Sequence, residues 1–251
     1  MKIDIVSPAN LKLKALLAAR DNWFFFAGDK LVSDLLARPL RVDKLLVRAD
    51  LGAALPPPQA EVGEYWRVSP RWMAKVSGMK SPPGLVAVMA LPETRIDFRR
   101  SRVVFGLVGV QDPGNLGTVF RCASAFNLPA LALAGAGARP NHPKVVRAAQ
   151  TALLDVPFQV FRGPDELIAA AQAAAARVYV TGSRPGGRQL DPARMEFPCL
   201  LLFGGEGPGL DPRLLESFPC LRLDQEPRID SLNVGISACI LMHELRRLHG
   251  L

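Results

Sequence analysis

The sequence predicts an α/β protein of two units, a small mixed unit followed by a doubly wound parallel sheet. Three observations predict it. A chain of 251 residues falls between one large domain and two modest ones. Short apolar runs alternate with helix-like stretches along its whole length. The polar segment LPETRIDFRRS at 91–101, opened by Pro92, interrupts that alternation as a linker would. The boundary is therefore expected near residue 97, with units 1–96 and 97–251.

In the first unit, residues 8–20 interleave Leu11, Leu16, Leu17 and Ala18 with Lys12 and Lys14, which predicts a short amphipathic helix with a basic face. The dense run Trp23-Phe24-Phe25-Phe26 reads as a strand broken by Gly28. A helix over 31–38 and a strand over 42–47 follow. Pro56-Pro57-Pro58 marks a loop, 71–75 a short helix and 84–89 another strand. In the second unit, 103–110 is continuously apolar, as a parallel strand covered on both faces must be. The alternation then gives helices at 116–126, 142–154, 164–176 and 211–217, and a last helix from Ser231 to Leu248. Strands are expected at 130–134, 156–161, 177–181, 199–203 and 220–223.

With 49% hydrophobic and 22% charged residues the chain can bury a substantial core, which excludes global disorder. The longest run that could suggest a membrane span, 84–92, is far shorter than the roughly 20 residues a spanning helix requires. The opening MKIDIVSPAN has no apolar stretch followed by a small-residue cleavage site, so a cytoplasmic protein is expected. Cys122, Cys199, Cys220 and Cys239 lie far apart and form no ligand spacing with His142, His243 and His249. Isolated core thiols are expected, and no metal. The net charge of +8 is uneven. Residues 1–100 carry 16 basic and 10 acidic side chains, against 15 and 13 beyond, so the first unit is the better surface for a polyanion.

Three segments carry chemistry, and each follows an expected strand and opens toward a helix, so all three should gather at one edge of the sheet. In VQDPGNLGTVFR (110–121), Pro113 and Gly114 set a tight turn, Asn115 is placed to cap the helix, and Arg121 lies in its second turn. In FGGEGPGL (203–210), four glycines allow close backbone approach to a ligand, and Glu206 is the ionisable group. No Lys-Ser/Thr follows and G-x-G-x-x-G is absent, which disfavours a nucleotide phosphate cradle. In IDSLNVGISA (229–238), Asp230 or Ser231 is expected to cap the last helix and to leave Ser231 and Asn233 at its positive end. Val234, Ala238, Leu241, Leu245 and Leu248 then form an apolar stripe, which serves either the core or a partner subunit.

Jointly these segments resemble the signature motifs of the SpoU (TrmH) family of RNA 2'-O-ribose methyltransferases, of the SPOUT class. The motifs are N-x-G-x-x-x-R at Asn115 to Arg121, G-x-E-G-x-G at Gly204 to Gly209, and S-L-N at Ser231 to Asn233. The first unit is similar to the family's ribosomal-protein-like recognition module at 7–16, 28–36 and 81–88, although Gly28-Asp29 stands where glutamate-glycine is more usual. The resemblance implies a carboxyl-terminal trefoil knot and bent S-adenosylmethionine, released as S-adenosylhomocysteine. It implies cofactor contacts from Gly204, Leu223 and Leu232, with Thr181, Gly182 and Gly209 nearby. Members commonly have Ile-Pro-Met where this chain has Leu223-Asp224-Gln225.

The same resemblance implies a catalytic set of Arg121, Asn115, Glu206, Ser231 and Asn233, and a site formed across a homodimer. A guanidinium with a pKa above about 12 rarely gives up its proton. Arg121 is therefore expected to clamp the neighbouring phosphate and stabilise the developing alkoxide while the other four orient it and the ribose. Lys12, Lys14, Arg20, Arg71, Lys75 and Lys80 are the candidate phosphate contacts. Ribosomal RNA is the expected substrate, with transfer RNA as an alternative. A catalytically silent RNA-binding or ribosome-assembly protein and a nicotinamide-dependent oxidoreductase are rival classes. The intact motifs oppose the first, and the missing dinucleotide fingerprint opposes the second.

Overall fold

The computed structural model describes residues 2–5, 11–51, 59–90, 94–182, 189–207, 209–223, 226, 228 and 231–250, with side chains excepted at 2–5 and 189–190. The expected loop at Pro56-Pro57-Pro58, the Asp224-Gln225 departure and the capping role offered to Asp230 lie outside the described residues. Two compact units emerge, one of residues 1–92 with 141–151 and the other of 93–140 with 152–251.

The first unit contains β1 (Lys2–Ile5), α1 (Leu11–Ala18), β2 (Trp23–Ala27), α2 (Asp29–Leu36), β3 (Arg41–Arg48), β4 (Glu61–Val68), α3 (Pro70–Ser77) and β5 (Leu85–Ala90). Its five-stranded sheet runs β1-β4-β3-β5-β2, parallel across β1, β4 and β3 and antiparallel across β3, β5 and β2. Leu13, Leu16, Phe25, Leu46, Trp66, Trp72, Met73 and Val88 pack its core. The sequence reading omitted β1 and β4. In β4, Gly63 looks like a breaker, but a Cβ there would stand 2.8 Å from the Asp43 carbonyl oxygen, so glycine admits the neighbouring strand. The last element of this unit, α5 (Pro143–Ala149), comes from further along the chain and packs on β2. The buried Asn141 just before it donates from Nδ2 to the Asp21 carbonyl at 2.8 Å.

The second unit contains β6 (Val103–Val108), α4 (Pro113–Ala125), β7 (Ala130–Ala134), α6 (Ala152–Asp155), β8 (Phe158–Phe161), α7 (Pro164–Ala173), β9 (Arg177–Thr181), β10 (Gln189–Leu190), β11 (Cys199–Gly204), α8 (Pro212–Ser217), β12 (Cys220–Leu221) and α9 (Val234–His249). Its strands run β10-β12-β9-β11-β6-β7-β8, and the pairings among the described residues are all parallel. The central β11 and β6 are buried on both faces, as continuous apolar strands should be. The two-residue β10 was not expected. The single helix expected over 142–154 is two, because Gln150 adopts φ 56°, and no glycine or proline marks that break in the sequence.

One expectation about side chains is corrected, and one left open is decided. Cys122 of α4 and Cys239 of α9 form a disulfide, with Cα atoms 5.7 Å apart, and are not isolated thiols. Cys199 and Cys220 remain free, and burial pushes the Cys199 thiol up to about 12. The stripe on α9 is core: Val234, Ala238, Leu241 and Leu245 are all buried, and Leu248 is half-buried. No helix among the described residues is long and apolar enough to cross a membrane.

Candidate active site

The carboxyl ends of β9, β11 and β12 open into a cleft of about 520 Å³. One wall is backbone. Gly204 ends β11, and a Cβ there would lie 2.3 Å from the Gly209 carbonyl carbon, because Gly205 and Gly209 bridge and fold the turn onto itself. Gly207 and Gly209 adopt φ of 90° and 68°, a region in which glycine pays no steric penalty. Thr181 donates its hydroxyl to the Leu202 carbonyl at 3.0 Å, which turns its side chain onto β11 at the cleft floor. Leu221, Arg222, Leu223 and Leu232 complete that side, with Ser237 and Leu241 from α9.

The opposite rim is a chain of side chains with fixed polarity. Asn233 caps α9 by accepting from the Ile236 N–H at 3.2 Å. Its Nδ2 donates to Asn115 Oδ1 at 2.9 Å. Asn115 Nδ2 donates in turn to Glu206 Oε1, and Glu206 Oε2 accepts from the Gln111 backbone N–H at 3.1 Å. Burial pushes the Glu206 carboxyl up. Hydrogen bonds from the Asn115 side chain and from the backbones of Glu206, Gln111 and Asp112 outweigh that and hold it below the ordinary value. Glu206 is thus an anion that is already bonded and a poor proton acceptor. Each amide retains a second N–H for a ligand.

The cap assignments change accordingly. Helix α4 begins at Pro113, and its cap is Asp112, which accepts from the Asn115 N–H at 2.8 Å. Asn115 is thereby released to face Glu206. Helix α9 begins at Val234 with Asn233 as its cap, so Ser231 lies on the approaching loop.

Glu206, Ser231, Asn233, Gly204, Leu223, Leu232, Thr181, Gly182 and Gly209 all line this one cleft, and Asn115 is bonded to two of them. Arg121 is the exception. It is exposed on α4 and outside the cleft lining. Six residues separate it from Asn115, about 120° around a helix of 3.6 residues per turn. The sequence reading missed Gln111, Arg222, Ser237 and Leu241. For Ser237 a signal existed, since it follows Asn233 by one helical turn. Of the candidate phosphate contacts in the first unit, Lys12, Lys14, Arg71, Lys75 and Lys80 are exposed and Arg20 is half-buried; Arg20 lies 4.5 Å from the Phe25 ring centroid and Lys75 4.7 Å from that of Trp72.

Residues 102–243 match the model of the SpoU rRNA Methylase family. The chain is 31% identical over 229 residues to the 23S rRNA (guanosine(2553)-2'-O)-methyltransferase RlmP of Bacillus subtilis, covering 90% of each chain. A solved RNA 2'-O ribose methyltransferase aligns along the whole of both chains with a TM-score of 0.73 and 26% identity. The AdoMet-bound rRNA methyltransferase of Sinorhizobium meliloti shares the fold, with a TM-score of 0.79 at 24% identity over 98% of each chain.

Proposed function

The chain belongs to the SpoU rRNA methylase family, and from that premise we propose that it transfers a methyl group from S-adenosylmethionine to a ribose 2'-hydroxyl of ribosomal RNA. The observation that carries the proposal is the joining of all three motifs in one hydrogen-bonded rim, Asn233 to Asn115 to Glu206, beside a cleft walled by glycine backbone.

The residues suit the cofactor. The aliphatic side chains of Leu221, Leu223, Leu232 and Leu241 offer an apolar bed for a flat base. The exposed backbone of Gly204 to Gly209 offers polar groups at its edge, and the Glu206 carboxylate faces a region where a cation is favoured. When bound, S-adenosylmethionine supplies a methyl group on a positively charged sulfur that leaves as neutral S-adenosylhomocysteine. The rim supplies orientation: the second N–H groups of Asn115 and Asn233, with the Ser231 hydroxyl, direct the ribose oxygen along the line of transfer. Its proton leaves to solvent or RNA, since Glu206 is already bonded.

Arg121 fits a role across a two-fold axis. An exposed guanidinium outside the lining of its own cleft supports a clamp on the RNA phosphate at the cleft of a second copy. The surface proposed for that pairing is not the buried stripe. It is Leu232, Ile236 and Ile240, spaced four residues apart and 36%, 49% and 43% exposed. Replacing Ile236 and Ile240 by Glu is expected to give monomers that bind cofactor but turn over poorly. A monomer with normal turnover in analytical ultracentrifugation and methyl-transfer assays would remove the dimer from the proposal.

The trefoil knot is proposed with the family. Its support is strand order, since β12 forms after β11 yet lies between β9 and β10. The first unit is proposed as the RNA-recognition module, working in the cytoplasm through exposed Lys14, Arg71 and Lys80, with affinity that falls steeply with salt. The deciding experiment incubates total unmodified RNA with the protein and methyl-labelled cofactor and locates the label by mass spectrometry. Label on a 23S ribose is expected. Label on a base, or on no RNA, overturns the reading, and label on transfer RNA overturns the choice of substrate.

A further inference from the structure

Glu206 sits on a turn between Gly205 and Gly207, and its carboxylate accepts from the Asn115 side chain and from backbone N–H groups, that of Gln111 at 3.1 Å. Such a turn does not hold a side chain by packing, so the direction of the carboxylate depends on whatever fixes its donors. One donor, Asn115, is fixed by α4 and by Asn233. The others are backbone N–H groups, that of Glu206 itself and those of Gln111 and Asp112 in the turn that follows Gly109 at φ 65°.

Gln111 is exposed, yet its Nε2 donates to the Ala136 carbonyl at 2.7 Å, in the loop after β7. The same two loops meet where the Ala138 N–H donates to the Val110 carbonyl at 2.8 Å. They meet without side chains between them: a Cβ on Gly137 would lie 2.7 Å from the Val110 carbonyl oxygen, and one on Gly205 2.2 Å from that of Gly109. Three turns at the carboxyl ends of β6, β7 and β11 are therefore stacked backbone on backbone, and Gln111 bonds to both of the others.

We propose that Gln111 is a positioning residue for the methyl transfer: its side chain anchors the β6–α4 turn to the β7 loop, so that its backbone N–H holds the Glu206 carboxylate toward Asn115. This rests on the methyltransferase reading above. Without the anchor, Glu206 swings, Asn115 loses its acceptor, and the ribose-orienting rim loosens while the glycine wall stays intact. Turnover falls and cofactor affinity does not.

The test is a double-mutant cycle with a spectroscopic control. Gln111→Leu keeps the length and removes the donor. It is expected to lower kcat about tenfold while the Kd for S-adenosylhomocysteine by calorimetry stays within about twofold. In a Glu206→Gln background the same change is expected to alter kcat by less than about twofold, because its effect passes through Glu206. A tenfold loss in both backgrounds, or none with Glu206 present, overturns the proposal. Independently of activity, the carbon-13 titration midpoint of the Glu206 carboxyl is expected to rise in Gln111→Leu, and an unmoved midpoint also overturns it. If the native protein methylates no RNA, the methyltransferase reading falls and the carboxyl titration alone decides what Gln111 does.

Discussion

The two sides of the cleft are made of different material. On one side Gly204, Gly205 and Gly209 present backbone so tightly folded that no Cβ fits at Gly204 or Gly205. On the other, Asn115, Glu206 and Asn233 are polar side chains at the surface, held by one another, by two helix starts and, at Glu206, by backbone N–H groups such as that of Gln111. A wall of backbone cannot adjust without moving strands, whereas a rim of side chains changes with one rotamer. On the proposed function, holding the ligand falls to the wall and orienting the reacting group to the rim, and substitutions should separate the two.

The largest effect is expected in the wall. For Gly205→Ala, the added carbon meets the Gly109 carbonyl oxygen at 2.2 Å and its carbon at 2.7 Å, and backbone has no rotamer to offer. A destabilisation of about 1–3 kcal/mol and a loss of cofactor affinity of at least ~100-fold are expected, read by chemical denaturation and calorimetry. Gly163→Ala, with no atom within 4 Å of the added carbon, is the control for cofactor affinity and should leave it unchanged. Normal cofactor binding by Gly205→Ala would mean that the wall is packing and not a ligand surface.

Next comes Arg121→Lys, which keeps the charge and removes the planar fork. Turnover is expected to fall by about 10²- to 10³-fold, with RNA affinity nearly unchanged. Near-normal turnover would leave the rim sufficient without any guanidinium. A smaller effect is expected from reducing the Cys122–Cys239 disulfide, which ties α4 to α9, the helices that carry Asn115 and Asn233. Dithiothreitol should lower the thermal midpoint by about 5–10 °C and leave a Cys122→Ser, Cys239→Ser double variant unaffected. The wall contains neither cysteine, so cofactor affinity should hold while turnover declines. Equal losses of both would show that the two sides are mechanically one.

The same contrast explains what could be read from the sequence. The apolar strands at 103–110, 130–134 and 199–203 announce themselves because a parallel strand covered on both faces is continuously hydrophobic. The wall was legible for a related reason, since four glycines after a strand admit few other uses. The rim was legible as a set of residues but not as a geometry. Whether Asn115 or Asp112 caps α4 depends on which oxygen reaches the Asn115 N–H, and both residue types cap equally well on sequence grounds. The pairing of cysteines 117 residues apart is a property of how α4 meets α9, and no local spacing encodes it. Gln111 carries no such signal, because its two contacts, side chain to the Ala136 carbonyl and backbone N–H to Glu206, are created only by the fold.

The smallest effect concerns acid. Folding lowers the Glu206 carboxyl below its ordinary value, because hydrogen bonds to the charged form, Asn115's foremost among them, outweigh the effect of burial. The stabilisation is therefore complete above the unfolded carboxylate range near ~4.3 and is lost as pH falls through the lower folded value. Stability measured by urea midpoint should decline through that window for the native protein and less steeply for Glu206→Gln, the two curves converging at their acid end. The carboxyls of Glu166, Asp211 and Glu244 are likewise lowered, by hydrogen bonds from arginines nearby. Only the difference between the two proteins isolates that of Glu206. Asn115→Ala should reproduce part of that difference, because it removes the side-chain donor and leaves the backbone donors in place. An acid slope unchanged in both variants would mean that Glu206 gains nothing from the rim, and that the rim is joined by Asn115 and Asn233 alone.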